Sequence, residues 1–141
     1  MNLKKTGIHS NCVMCGEGNP FGLKLKFKLD EDGVASTCFR GEARFQGYDG
    51  ILHGGVISAI LDSAMTNCLF LHGVQALTGK LEVRFLKPVP CDSFLAISAR
   101  IVADRPPFHK LASSIVCNGV PLAEAEAKGD RYVRIREPGV A

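Results

Sequence analysis

The sequence predicts an α+β fold in which an antiparallel six-stranded sheet wraps around one long helix. Alternating apolar and polar residues indicate two strands before residue 46 and four strands after residue 76. Between them lies Val56 to Leu71, a segment built almost entirely of residues typical of a protein core. Because one helix cannot cover both faces of such a sheet, we expect the sheet to curl around it.

The first half of the chain contains an irregular head and a predicted hairpin. Residues 1–20 are rich in turn formers and include two cysteines. Leu23, Leu25, Phe27 and Leu29 then alternate with three lysines, which predicts a strand with one buried face. Asp32-Gly33 is a strong turn signal, and the segment 34–45 is predicted to be the returning strand.

The second half consists of the helix followed by strands. His72-Gly73 is predicted to cap the helix C-terminus. The segment "LTGKLEVRFLKPVP" alternates and is closed by prolines, and "FLAISARIVA" places its large apolar residues on one face. Asn118-Gly119 predicts a tight turn between the last two strands. Residues 1–141 are therefore interpreted as one domain.

Composition limits the classes of function. The chain has 141 residues, 46% hydrophobic and 22% charged, with a net charge of +3 and no long basic run. These values are typical of a globular domain and do not predict nucleic-acid binding. The N-terminus lacks the apolar stretch of a secretory signal, and no run approaches the roughly 18 apolar residues of a membrane span. A cytoplasmic protein with cysteines as thiols is expected.

The helix carries one strip of polar residues. Ser58, Asp62 and Thr66 are spaced four apart and share a face, with Gly55 one turn earlier on nearly the same side. Ser63 and Asn67 are expected to widen this strip. Its side chains are all short, which suits a narrow crevice, although a solvent-facing strip remains the alternative.

His53-Gly54-Gly55 leads into the same helix. The glycines would let another molecule approach the backbone closely. The first helical amides have no partner within the helix and point outward with the positive end of its dipole. A carbonyl oxygen placed there would be polarised, as in an oxyanion hole. The alternative is a tight turn that needs glycine for its shape alone.

These segments together resemble a known family. "FQGYDGILHGGVISAILDSAM" and "TGKLEVRFLKPVP" are similar to the hotdog-fold acyl-CoA thioesterases, specifically the PaaI-like group of the 4-hydroxybenzoyl-CoA thioesterase superfamily. The head "CVMCGEGNPFGLKLKF" resembles the "C-x-x-C-G…N-P-x-G-L" opening of one subset of that group. The most specific shared feature is His-Gly-Gly followed by an acidic residue nine positions after the His, which is Asp62.

The resemblance implies a thioester hydrolase with the following residue roles. Asp62 would act as general base or nucleophile, and the amide of Gly54 would bind the thioester oxygen. His53 would stabilise the loop or orient the carbonyl, and Thr66 would hold the attacking water or orient Asp62. The family often has Asn or Gln six residues before the His. Here that position is Gly47, so Gln46 is the candidate.

The resemblance also implies how substrate and subunits are arranged. The chain would form a homodimer or a dimer of dimers, with Gly54 of one subunit facing Asp62 of the other. Gly55, Arg84 and Lys87 are candidates for binding coenzyme A, which would be part of the substrate. No cofactor is required for this chemistry, and the acyl group is not predicted.

The head offers a separate candidate site. His9, Cys12 and Cys15 have a spacing that could supply three ligands to zinc, but no second closely spaced pair completes the set. A thiol-rich structural cap is the favoured interpretation, and a redox-sensitive pair is a further one.

Three rival functions remain open at this point. The same fold could be a non-catalytic acyl-CoA-binding or regulatory module. It could also be a dehydratase or hydratase acting on acyl thioesters, although His53, His72 and His109 do not match the patterns for that chemistry. A metal-binding function of the head is compatible with any of these.

Overall fold

The computed structural model describes residues 9–130, which form six strands and one long helix. The strands in chain order are β1 Lys28–Leu29, β2 Ala35–Arg40, β3 Leu77–Phe85, β4 Phe94–Arg105, β5 Phe108–Cys117 and β6 Val120–Asp130. The helix α1 is Gly54–Leu71, and a 3-10 turn covers Ala43–Phe45. All paired strands are antiparallel, in the order β1-β2-β4-β5-β6-β3. The predicted fold class is confirmed.

Helix α1 forms the centre of the hydrophobic core. It contacts every strand of the sheet, and its buried side chains are Ile57, Ile60, Leu61, Ser63, Ala64, Met65, Asn67, Cys68 and Leu69. The inward residues of the central strands, such as Leu95, Ile97 and Ile115, are almost fully buried against it. By length and composition alone α1 could span a membrane, contrary to the expectation from the sequence. Its packing is that of a core helix.

Both ends of α1 lie close to where the sequence predicts them. The helix begins at Gly54, two residues before the predicted start. It ends at Leu71, and Gly73 has a φ of +82°, a left-handed conformation that glycine adopts without strain. The amide of Gly73 donates to the carbonyl of Phe70. The predicted C-terminal cap is confirmed.

The first predicted strand is only partly a strand. Leu25 and Phe27 are buried and Lys24, Lys26 and Lys28 are exposed, as the alternation predicts, but Leu29 is 37% exposed, contrary to the prediction. However, only Lys28–Leu29 pairs with β2. The amides of Leu23 and Leu25 donate instead to the carbonyls of Val13 and Met14 in the head, at 3.0 and 2.9 Å. The head therefore takes the place of a neighbouring strand.

The returning strand is shorter than predicted. β2 ends at Arg40, and the Gly41 amide adds one more bond in the same register, to the Ser93 carbonyl, before the chain leaves β4. The 3-10 turn Ala43–Phe45 occupies the segment that the sequence assigned to the strand. Alternation alone could not locate this turn, because Phe45 continues the apolar pattern.

Two helix residues assigned to the polar strip are in fact buried. Ser63 and Asn67 are 7% and 1% exposed, and the Asn67 amide donates to the Ser63 carbonyl at 2.8 Å. One turn from Asn67, the ring of Phe70 contacts the ring of His9 at 4.7 Å between centroids. Asn67 and Phe70 are three residues apart and lie on one side of the helix, and the head contacts that side at Phe70. The prediction that Ser63 and Asn67 widen the strip is wrong.

Strand β3 lies at the edge of the sheet. It pairs only with β6, so its other side is open. Although its apolar residues alternate as predicted, Leu81 and Phe85 are 36% and 56% exposed. Leu77 and Leu86 are also exposed on this edge. An open edge with exposed large apolar residues is typical of a surface that another chain covers.

Candidate active site

The N-terminus of α1 is shaped by His53. Its backbone is extended, with φ −62° and ψ 136°, and its carbonyl accepts the first helical hydrogen bond, from Ile57 at 3.0 Å. The Nδ1 atom of the ring accepts a hydrogen bond from the Gly55 amide at 2.9 Å. His53 is therefore the helix N-cap, and its imidazole satisfies one of the free amides of the first turn.

The amide of Gly54 is one of the donors of the first turn that His53 leaves free. Within residues 9–130 its N–H has no hydrogen-bond partner, whereas the Gly55 amide is taken by His53. A Cβ added to Gly54 would lie 3.6 Å from the Phe85 ring, an ordinary van der Waals distance. Because the helix dipole adds positive potential here, the Gly54 amide is suited to bind a negatively charged oxygen.

The segment before His53 is a small closed loop. The Gly47 amide donates to the Ile51 carbonyl at 2.9 Å, and the Gln46 Oε1 atom accepts from the Gly50 amide at 3.2 Å. A Cβ on Gly47 would lie 3.2 Å from the Cα of His53, which leaves little room for a side chain. Gly47, which stands where the resemblance leads us to expect Asn or Gln, therefore packs closely against the His53 backbone. Gln46 closes the loop, and its role toward substrate stays a prediction.

Asp62 is held by a residue that sequence reasoning missed. The carboxylate is half-buried, and its Oδ1 accepts a hydrogen bond of 2.6 Å from the Thr78 hydroxyl on β3. The two residues are sixteen positions apart in sequence. No local spacing relates a helix residue to a strand residue across a loop, so the pattern contained no signal for Thr78. In the structure, Thr78 lies beside Gly79, where the pairing of β3 with β6 shifts register.

The remaining members of the polar strip differ in their contacts. The Ser58 hydroxyl donates to the Gly54 carbonyl at 2.8 Å and is therefore used within the helix. Thr66 lines a small cavity together with Thr78. The cavity holds only about 10 Å³, close to the volume a single water requires. An acyl chain does not fit in it.

Within one subunit, the Gly54 amide and the Asp62 carboxylate are too far apart to act on the same carbonyl group. Gly54 and Asp62 are eight residues apart on one helix, which is about 12 Å along the axis. They cannot reach the same carbonyl group from one chain. Both open toward β3, since Phe85 lies beside Gly54 and Thr78 bonds Asp62. A complete site would therefore need the β3 edges of two subunits.

Two of the three candidate coenzyme A contacts, Arg84 and Lys87, lie away from these groups, whereas Gly55 follows Gly54 and its amide is bound by His53. Arg84 is exposed and pairs with Glu124 at 3.4 Å. It lines a depression of about 450 Å³ on the outer face of the sheet, together with Ser98, Arg100 and Ser114. No residue of α1 lines this depression. Lys87 is exposed just beyond β3. Neither residue is brought to Gly54 or Asp62 within one subunit.

The other histidines are engaged elsewhere. His72 is within 3.1 Å of the Gly33 carbonyl through its Nε2 atom. His109 is 2% exposed, and its Nδ1 lies 2.7 Å from the Asp104 carboxylate. In His9, the Nδ1 atom is 3.7 Å from the Cys15 sulfur. With His53 capping α1, the described histidines give no support to the dehydratase alternative.

Known proteins match both this sequence and this fold. Residues 49–103 match the thioesterase superfamily model. The chain is 31% identical over 75 residues to acyl-coenzyme A thioesterase THEM4 of Bos taurus, covering 53% of this chain and 30% of that protein. It thus spans about a third of that relative's length. The predicted resemblance to the thioesterase superfamily is confirmed.

Solved structures agree on the architecture. A thioesterase superfamily protein superimposes with a TM-score of 0.81 at 20% identity, covering 85% of this chain and 63% of that one. The PaaI protein of E. coli gives 0.72 at 19% identity, covering 79% and 81%. This is the hotdog fold.

A structure solved with coenzyme A has the same fold. A hypothetical thioesterase of Streptococcus pneumoniae, solved with coenzyme A, gives a TM-score of 0.71 at 17% identity, covering 77% of this chain and 89% of that one.

Proposed function

We propose that this chain is an acyl-CoA thioesterase that hydrolyses a thioester to a free acid and coenzyme A. The observation that carries the proposal is the Asp62 carboxylate, held at 2.6 Å by Thr78 on the open β3 edge. Asp62 is the one charged residue of α1, and a carboxylate held in place can serve thioester hydrolysis as base or nucleophile. The relatives named as acyl-coenzyme A thioesterases support the substrate class.

The proposed reaction needs two groups. The Gly54 amide, with the helix dipole behind it, binds the thioester oxygen and stabilises the negative charge that develops there. Asp62 takes a proton from the attacking water, or attacks the carbonyl carbon itself and forms an anhydride that water then cleaves. In either path the bond from carbon to sulfur breaks and coenzyme A leaves as the thiol. No cofactor takes part.

The proposed assembly is a homodimer, or a dimer of such dimers. Gly54 of one subunit and Asp62 of the other would meet where two β3 edges come together. The exposed Leu77, Leu81 and Phe85 support this arrangement, because they would be covered by the partner. Within one subunit the pocket beside Thr66 is too small for an acyl group, which supports a pocket shared by two chains.

A thiol-release assay tests the proposed function. The reduced protein is incubated with a panel of short, long and aromatic acyl-CoAs, and free coenzyme A is measured with a thiol reagent after protein removal. We expect saturable turnover on at least one thioester. Tight binding of acyl-CoA by calorimetry without turnover on any member would overturn hydrolysis and favour the non-catalytic binding module. The observation that favours this second function is the hydrogen bond from the Gly50 amide to the Gln46 side chain, because it occupies the side-chain oxygen that would otherwise face the substrate.

A further inference from the structure

The head contains two cysteines and a histidine that the proposed hydrolysis does not use. His9, Cys12 and Cys15 lie in two consecutive turns, in which the Cys12 amide donates to the His9 carbonyl at 3.2 Å and the Gly16 amide donates to the Cys12 carbonyl at 2.9 Å. The second bond closes one helical turn around both cysteines. Residues three apart in such a turn have Cα atoms within about 7 Å, near the separation that disulfides bridge.

The turn is rigidly closed by Gly16. A Cβ at this position would lie 2.4 Å from the Cys12 nitrogen, 2.6 Å from the Ser10 carbonyl oxygen and 2.7 Å from that of His9. Only glycine fits, so the backbone around the two sulfurs is packed against itself. Little chain entropy is then lost when the two sulfurs join.

The two sulfurs have different surroundings. Cys12 is half-buried, and its sulfur accepts a hydrogen bond from the Met14 amide at 3.4 Å. Cys15 is 3% exposed, and its sulfur lies 3.7 Å from the His9 Nδ1 atom. Cys12 is thus the sulfur that a small molecule can reach. Cys15 is enclosed beside a nitrogen that can accept its proton.

The other cysteines have no such arrangement. All six are free, and only Cys12 and Cys15 lie within one turn of each other in sequence. Cys38 is exposed on β2 as a single thiol. Cys68 is buried in the core, where desolvation raises the pKa of its thiol. In an oxidation experiment, Cys38 therefore serves as the exposed control thiol and Cys68 as the buried one.

A zinc site is the competing interpretation of the head. It would require at least three ligating side chains to converge. Among residues 9–130 no group of three or more His, Cys, Asp or Glu side chains is placed to hold a metal ion. The contact between Cys15 and His9 therefore involves two side chains, and no third ligand among the described residues joins them. A dithiol needs only Cys12 and Cys15, which lie in the one turn that the Gly16 amide closes.

We propose that Cys12 and Cys15 form a dithiol site that reduces low-molecular-weight disulfides such as oxidised glutathione. The Cys12 sulfur attacks one sulfur of the small disulfide, which forms a mixed disulfide and releases one small thiol. His9 accepts the proton of Cys15, and the Cys15 sulfur attacks the sulfur of Cys12. The Cys12–Cys15 disulfide forms, and the second small thiol leaves with the proton. The two protein thiols are oxidised and the small disulfide is reduced.

Peptide mapping by mass spectrometry tests this proposal on the full chain. The reduced, folded protein is incubated with oxidised glutathione and quenched by alkylation at timed intervals. We expect a Cys12–Cys15 disulfide to form, while Cys38 carries a persistent mixed disulfide and Cys68 stays reduced. Cys38→Ser is the matched control, and it should leave formation of the head disulfide unchanged.

Two variants separate the steps of the exchange. Cys15→Ser should accumulate a stable mixed disulfide at Cys12. His9→Phe keeps an aromatic ring to contact Phe70 but removes the proton acceptor, so the mixed disulfide should resolve slower by about tenfold or more. Circular dichroism establishes that each variant is folded.

Three results would overturn the dithiol site. One is that Cys12 and Cys15 stay reduced while Cys38 reacts. Another is that their disulfide forms equally fast in denaturant, since the folded turn would then contribute nothing. The third is that the purified protein holds one zinc ion per chain that blocks oxidation. The proposal is independent of thioester hydrolysis and is tested without it.

Discussion

At the scale of single residues, the Gly54 amide is the proposed donor to the thioester oxygen. Gly54 is the first helical residue, and its amide has no partner among the described residues. Proline is well tolerated at this helix position, because the missing N–H would be unpaired there anyway. His53 before it is extended, with ψ 136°, as the residue preceding a proline requires.

Gly54→Pro should therefore delete the proposed oxyanion donor and keep the fold. We expect kcat to fall by about 10²- to 10³-fold, as for removal of one oxyanion-hole donor. Gly54→Ala retains the amide and adds a Cβ at an ordinary distance from Phe85, so its kcat should fall much less. Steady-state kinetics with the best acyl-CoA checks this. Equal losses in both variants would argue against the amide.

Thr78 is proposed to position Asp62. Thr78→Val removes the hydroxyl at nearly constant shape and should lower kcat by about tenfold, on the scale of one hydrogen bond to a charged group. KM should change little, and Thr78→Ser should restore kcat. If Thr78→Val raises KM and leaves kcat unchanged, the hydroxyl binds substrate and does not orient the carboxylate.

At the scale of elements, the start of α1 depends on the His53 cap. His53→Ala leaves the Gly55 amide without its 2.9 Å acceptor, and we expect a loss of about 1 kcal/mol in the free energy of unfolding. His53→Asn, with another side-chain acceptor, should recover most of it. Urea unfolding measures both variants. Identical midpoints for wild type and His53→Ala would show that the cap contributes nothing to stability.

Sequence periodicity predicted the elements well and their surroundings poorly. The helix, its C-terminal cap and the number of strands follow from patterns within a few residues. The burial of Asn67 does not, because it depends on which segments of the chain pack over that side of the helix. The bond from Thr78 to Asp62 is equally invisible, since it joins a strand to a helix across a loop. Local pattern carries no information about such long-range contacts.

At the scale of the whole molecule, the proposed site requires Gly54 of one subunit and Asp62 of another to come together. The predicted pairing of Gly54 with Asp62 across subunits makes a complementation experiment possible. Gly54→Pro and Asp62→Asn chains are inactive alone, but a mixed dimer contains one site with both groups intact. Random mixing of equal amounts should recover about a quarter of wild-type activity. Co-refolded chains and thiol release measure this. A mixture no more active than its components would contradict a shared site.

The head adds a second feature at this scale. It takes the place of a neighbouring strand beside residues 23–25 and contacts the end of α1 through His9 and Phe70. The proposed dithiol is thus attached to the core helix at the opposite end from Gly54. The sequence named these three residues, but whether they form a metal site or a dithiol depends on distances that spacing alone does not give.

The most direct test of the account is thiol release by Asp62→Asn. The substitution keeps the size and the acceptor oxygen for Thr78 but removes the negative charge. Asp32→Asn, in the exposed turn before β2, is the matched control. We predict that kcat falls by about two orders of magnitude or more for Asp62→Asn, on the scale of losing a general base, and is unchanged for Asp32→Asn. Wild-type kcat in Asp62→Asn would contradict the central claim.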